Sequence, residues 1–218
     1  MHRFARITTL VALGLGLGLG CAADDEDADD HGHDHNEETE VITTVTLTFT
    51  PTAGGDAVTA SFRDPDGDGG MSGMSDAIIL AADTEYQLQV SFLDELSSPA
   101  EDITEEVEGE AEDHQVFVFG TAVEGPGTPA NADAILEHAY DDSESTYGTN
   151  TGDDLPVGVA NLVTTRGAGA GELDVMLRHL PELNGAPQKV AGLADDLAKG
   201  VALPGEVDAM VSFAVTVQ

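Results

Sequence analysis

VITTVTLTFT, from Val41 to Thr50, places apolar Val45, Leu47 and Phe49 at every second position, with Thr44, Thr46, Thr48 and Thr50 between them. A period of two in β-branched and aromatic residues is the signature of a strand with one face buried and one face wet. The pattern recurs downstream. Ala57–Phe62 alternates through Val58, Ala60 and Phe62, and Thr52–Asp56 supplies the glycine-rich turn that makes the two segments a hairpin. Glu85–Leu93 alternates through Tyr86, Leu88, Val90 and Phe92. Further strands are predicted at Gln115–Phe119, Ile135–Tyr140, Val157–Thr164, Glu172–His179 and Val207–Val217. In the last of these Val207, Ala209, Val211, Phe213, Val215 and Val217 fall on one side.

Helical periodicity is scarce. Ile103, Val107 and Ala111 recur every fourth residue among glutamates, and Ser98-Pro99 reads as a helix start, which predicts a short amphipathic helix over 99–112. Gln188–Lys199 is a second candidate, with Val190, Leu193 and Leu197 as its apolar side. Loops are expected over 121–133 and 141–156. Doubly wound folds need a helix between successive parallel strands, and few are on offer here. The expected class is therefore mainly β, an antiparallel β-sandwich with one or two short helices.

Outside that domain, 41–218, the composition changes twice. The apolar run Ile7–Leu19 is 13 residues long, short of the roughly 20 that span a bilayer. It follows Arg3 and Arg6 and ends just before Cys21, the chain's single cysteine. That order is the order of a secretory signal with lipid attached at its end, so residues 1–20 are read as a signal peptide and Cys21 as the lipidation site. Gly18 holds the place three before the cysteine where such signals usually carry leucine, and a plain secretory signal is the rival reading. Residues 22–40 then contain ten acidic side chains, three histidines and no aliphatic residue larger than alanine. They cannot bury enough apolar surface to offset the entropy of ordering, so 21–40 is expected to be a lipidated, disordered acidic tether.

The formal charge is −35 for the 218 residues, and loss of Arg3 and Arg6 with the leader takes it to −37. Such a field repels nucleic acid, which is excluded as a partner, and attracts cations and basic proteins. With one cysteine there is no internal disulfide and no cysteine metal cluster.

Four segments together, ITTVTLTFTP at Ile42–Pro51, FRDPDGDGG at Phe62–Gly70, DITEEVEGEAEDHQVFVF at Asp102–Phe119 and LPVGVANLVTTRGAGAGELDVMLRH at Leu155–His179, resemble a group of small bacterial lipoproteins known as "type 1 periplasmic binding fold superfamily" proteins. The resemblance implies a secreted, membrane-anchored binding or accessory protein.

Three motifs carry cation chemistry. Asp64-Pro-Asp66-Gly-Asp68-Gly69 matches the opening of a calcium loop, in which alternate carboxylates converge around a glycine turn. The twelfth position is Ser75, with Asp76 beside it, where a helix-flanked loop would carry glutamate; a solvated acidic turn is the plainer reading. His31, His33 and His35 alternate within the acidic tether, and imidazoles with carboxylates suit zinc, copper or nickel. His114, His138 and His179 each stand at the edge of a predicted strand, where a histidine is ordinarily satisfied by its surroundings; a cluster needs the fold to join them. Gly167–Gly171 is expected to be a hairpin turn, Glu105 and Glu106 a solvated helix face, and no nucleophile elbow stands out. The functional expectation is a non-catalytic outer-membrane lipoprotein, on the periplasmic or cell-surface side. It would have affinity for divalent cations, with structural calcium at Asp64, Asp66 and Asp68 or zinc at the histidines. The alternative is an interaction module docking an outer-membrane transporter or another basic partner.

Overall fold

The computed structural model describes residues 41–65, 67, 73–148, 150 and 152–218. The leader, the tether with Cys21, His31, His33 and His35, and the loop residues Asp66 and Asp68 lie outside the described residues. No helix among the described residues is long and apolar enough to cross a membrane.

The chain opens with β1 (Thr44–Pro51), β2 (Val58–Arg63), β3 (Met74–Ser75), β4 (Ile78–Leu80), β5 (Glu85–Asp94) and β6 (Glu101–Asp102). Helix α1 (Ile103–Gly109) leads into β7 (His114–Phe119), β8 (Val123–Glu124) and β9 (Leu136–Tyr140). After α2 (Glu144–Tyr147) come β10 (Ala160–Thr165), β11 (Gly169–His179), α3 (Leu193–Ala198) and β12 (Glu206–Val217). One sheet runs β3-β2-β1-β5-β10-β9-β8, with β6 beside β5; the other runs β4-β12-β11-β7. Their apolar faces share one core, in which Phe49 and Phe92 of the first sheet and Leu173 and Phe213 of the second are fully buried. Each such side chain contributes about 1.5–3 kcal/mol at most. The protein is a mainly β sandwich, as the alternation predicts. Two strand pairs, β4 with β12 and β8 with β9, are parallel, which the all-antiparallel expectation omits.

The first hairpin has the expected register, from Thr44 opposite Arg63 to Phe49 opposite Val58. Its turn uses Gly54 and Gly55 at φ 89° and 135°, conformations that a side chain would strain. Elsewhere the boundaries shift for local reasons. Helix α1 begins four residues later than the proline suggests, because Glu101 and Asp102 pair as a strand with Asp94 and Leu93. Asp102 is then the N-cap, its carboxylate accepting from the Thr104 N–H at 3.0 Å. Ile103, Val107 and Ala111 are buried as predicted.

Gly169–Gly171 belongs to β11, not to a turn. A side chain at Gly169 would strike Ile135 and one at Gly171 would strike the backbone of Ala122, so these glycines admit the close approach of the 120–135 segment. In the 188–199 region only Leu193–Ala198 is helical. Leu193 closes a second, smaller core with Phe117, Met176 and Leu180 on the outer face of the four-stranded sheet, while Val190 is left exposed. A short helix, α2, also interrupts the loop expected over 141–156.

The largest departure lies in β12. Leu177 pairs with Ala209 and Arg178 with Val207, so Asp208 is the extra residue of a β-bulge. The alternation changes phase there. Val211, Phe213, Val215 and Val217 are buried as predicted, but Val207 is exposed.

Candidate metal centre

Helix α1 delivers the first component of the site at its end. Glu110 is the C-cap, its N–H donating to the Glu106 carbonyl, and the Asp113 N–H returns to the Glu110 carbonyl at 2.8 Å. The tight turn that results starts β7 immediately at His114. In β7, His114, Val116 and Val118 share one face of the pleat, and the two valines belong to the main core. Register supplies the third component, because β7 and β11 pair with His114 directly opposite His179.

Cross-strand neighbours on one face are close enough to touch, and here the two imidazoles stack, centroids 4.7 Å apart and planes 5° from parallel. Glu110, His114 and His179 each bring one candidate ligand atom within 4.8 Å of the others. His114 is fully buried and His179 is 7% exposed. The His114 Nδ1 lies 3.3 Å from the Glu110 carbonyl oxygen. Because a carbonyl only accepts, this contact assigns the proton to Nδ1 and leaves Nε2 with a lone pair. That Nε2 is buried and has no hydrogen-bond partner among the described residues. A ring nitrogen fixed by a backbone carbonyl, with its opposite nitrogen free, is the arrangement in which histidine ligates metals. Burial, and after it the neighbouring His179, push the His114 imidazole down to about 4, so it is neutral at ordinary pH.

Two nitrogens bound to one tetrahedral ion sit roughly 3.3 Å apart, each about 2.0–2.1 Å from it. Donors separated by up to 4.8 Å must therefore draw in. An ion also lies near the plane of each imidazole that binds it, so one ring has to turn out of the stack. His179, the less enclosed of the two, is the ring to turn.

Around this cluster the turn is fastened from outside. Lys189 Nζ donates to the Ala111 carbonyl at 2.6 Å and pairs with Glu144 Oε1 at 2.9 Å, with side chains 1% and 5% exposed. Burial pulls the Lys189 ammonium below its usual range, and Glu144 works against that pull. Glu144 also accepts from the Leu155 N–H, at 3.2 Å, tying α2 to the same assembly. Beside it opens a cavity of about 650 Å³ lined by Glu112, Asp113, Glu144, Asp153 and Glu182, with Lys189 as its only basic residue among the described lining. Burial is the main cause that raises the Asp113 carboxyl, and the His179 charge offsets part of the rise.

The structure thus joins two of the three strand-edge histidines. His138 is elsewhere, its Nε2 2.9 Å from Asn161 Oδ1 and its Nδ1 buried without a hydrogen-bond partner among the described residues. Of the expected calcium ligands only Asp64 is described, buried at 1% exposure. Asp76, the nearest substitute for the twelfth-position acid, accepts from the Ser61 N–H at 3.0 Å and pairs with Arg63, so it serves β2. Glu110 was missing from the sequence-based set. Its signal is the spacing EAEDH, an acid four residues before His114, which becomes chemical only when a helix ends between the two. No family model, no curated protein and no solved structure matches this chain.

Proposed function

We propose that this chain is a non-catalytic divalent-metal-binding module, held at a membrane through Cys21, and that Glu110, His114 and His179 are its principal ligands. The observation that carries the reading is the His114 Nε2. It is a buried lone pair without a partner among the described residues, on a ring that stacks against a second imidazole. Two nitrogens and one oxygen suit zinc and its first-row neighbours; calcium takes only oxygen. The acidic field of the chain concentrates cations near the site, and His31, His33 and His35 add a second, weaker set of donors.

Isothermal titration of the full chain with zinc tests this. We expect one equivalent to bind tightly, to persist when His31, His33 and His35 are all changed to alanine, and to weaken at least tenfold in His179→Ala and in Glu110→Gln. Loss of all binding in the tether variant, with His179→Ala unaffected, would refute the proposal.

The acidic cavity favours a second reading, docking of a basic partner such as a transporter segment. Five carboxylates around one lysine attract a cationic surface through a field that salt screens. Retention of such a partner at low salt and its release at high salt distinguish this reading from ligand-specific metal binding.

A further inference from the structure

Glu110 differs from the two histidines in being reachable. His114 is fully buried and His179 is 7% exposed, whereas Glu110 is half-buried at the C-cap of α1 and lines a cavity of about 230 Å³. Glu108, Glu112, Asp113 and Glu144 share that lining, and no basic residue belongs to it among the described residues. Burial raises the Glu108 carboxyl, and the charges of Asp102, Glu105 and Asp142 raise it further. The cavity is therefore a negative pocket with Glu110 in its wall, and its field draws in cations. The larger cavity of about 650 Å³ shares Glu112, Asp113 and Glu144 with it, but Glu110 is not in its described lining.

The donor set points the same way. Ions that hold a fold together are closed in by four protein ligands, and ions that react keep a position for water or an incoming donor. Among the described residues the cluster has three members, Glu110, His114 and His179. The scaffold around them is fastened by other means. Val116 and Val118, on the His114 face of β7, belong to the main core, and Lys189 ties down the turn through the Ala111 carbonyl at 2.6 Å. Departure of an ion leaves that scaffold standing.

Resting on the reading of this cluster as a metal centre, we propose that it is an exchange site rather than a structural one, taking up and handing over a first-row divalent ion through the cavity of about 230 Å³. Glu110 is the ligand that meets the ion first and releases it last. In the hand-over a carboxylate or imidazole donor from outside, bringing its own lone pair, adds at the open position. The bonds to the two imidazoles and then to Glu110 break, and the ion leaves with its charge unchanged.

For the test, cobalt(II), whose visible spectrum reports its ligands, is loaded at one equivalent into the full chain with His31, His33 and His35 changed to alanine. Uptake, and release to iminodiacetate, are followed by stopped flow. The release rate should rise with iminodiacetate concentration, because the chelator adds at the open position; a rate that ignores the chelator means a closed site and overturns the proposal. Gly148 lines the smaller cavity with an extended φ of 178°, and a Cβ there meets nothing within 4 Å. Gly148→Phe should therefore plug the cavity in a folded protein, slowing uptake and release together by about fivefold or more, with spectrum and affinity unchanged. Gly152→Phe, at the larger cavity, where a Cβ also meets nothing within 4 Å, should change neither rate by more than about twofold. Glu108→Gln combined with Glu112→Gln should slow uptake and flatten its dependence on salt. Unchanged rates in Gly148→Phe, unchanged uptake in the glutamine variant, or an equal slowing by Gly152→Phe would each overturn the proposal while leaving the metal centre in place. A spectrum and affinity indifferent to His179→Ala would instead remove the centre itself.

Discussion

Lys189 and Asp208 are both charged groups taken out of water, one beside the candidate metal site and one at the bulge of β12, and the fold treats them in opposite ways. Lys189 has a carboxylate at 2.9 Å and a carbonyl at 2.6 Å. Asp208 has neither a donor nor an ion pair in contact among the described residues. A buried charge whose partners are supplied by its own chain is structural, because its desolvation is already offset. One that lacks them signals either an energetic cost that persists or a ligand from outside. The difference is the reason the first region is read as a clamp around a candidate metal site and the second as a standing energetic cost at the bulge of β12.

The comparison breaks most visibly if Lys189 is removed. Lys189→Met leaves Glu144 buried without its cation and the Ala111 carbonyl without its donor, and we expect a loss of about 3–5 kcal/mol in chemical denaturation. A loss under about 1 kcal/mol would mean that the remaining donors to Glu144, the Leu155 N–H and Asn150, carry the assembly by themselves. Asp208→Asn should move stability in the other direction. The folded carboxyl titrates at about 7, against roughly 3.9 when unfolded. Between those values the native state holds the proton that the unfolded chain releases, so the parent protein loses stability as pH rises through that window. The variant should thus be more stable at pH 8, by about 1–2 kcal/mol after allowing for partial solvent exposure, and equal to the parent below pH 4. Equal stability at both pH values would place Asp208 in effective contact with water or Arg178.

The smallest effect is expected far from both sites. Arg166 pairs with Glu124 and Glu137, and its side chain is about one-third exposed, at 34%. Arg166→Gln should cost under about 1 kcal/mol, and the cost should fade in high salt.

The sheets were largely legible because a strand with one wet face writes its period into the sequence, as Val45, Leu47 and Phe49 do. The bulge was not. Val207 and Ala209 continue the alternation on paper, and only the pairing with Leu177 and Arg178 shows that the phase slips at Asp208. The start of α1 was misplaced for a similar reason: Ser98-Pro99 is a sound local signal, but pairing of Glu101 and Asp102 with β5 overrides it. At the candidate metal centre the individual histidines stood out while their partnership did not. His114 and His179 are 65 residues apart, and the register of β7 on β11 that joins them follows from packing across the whole sheet. Glu110 entered through the turn geometry at the end of α1, which no periodicity encodes.

The central claim is that one ion is held by two imidazoles from facing strands. Zinc absorption-edge spectroscopy of the full chain, with His31, His33 and His35 replaced by alanine and one equivalent of zinc added, reads the ligand set directly. The structure predicts two imidazole nitrogens at about 2.0–2.1 Å together with carboxylate oxygen, and loss of one imidazole contribution in His179→Ala. A shell of oxygen alone, or a spectrum unchanged by His179→Ala, would contradict it.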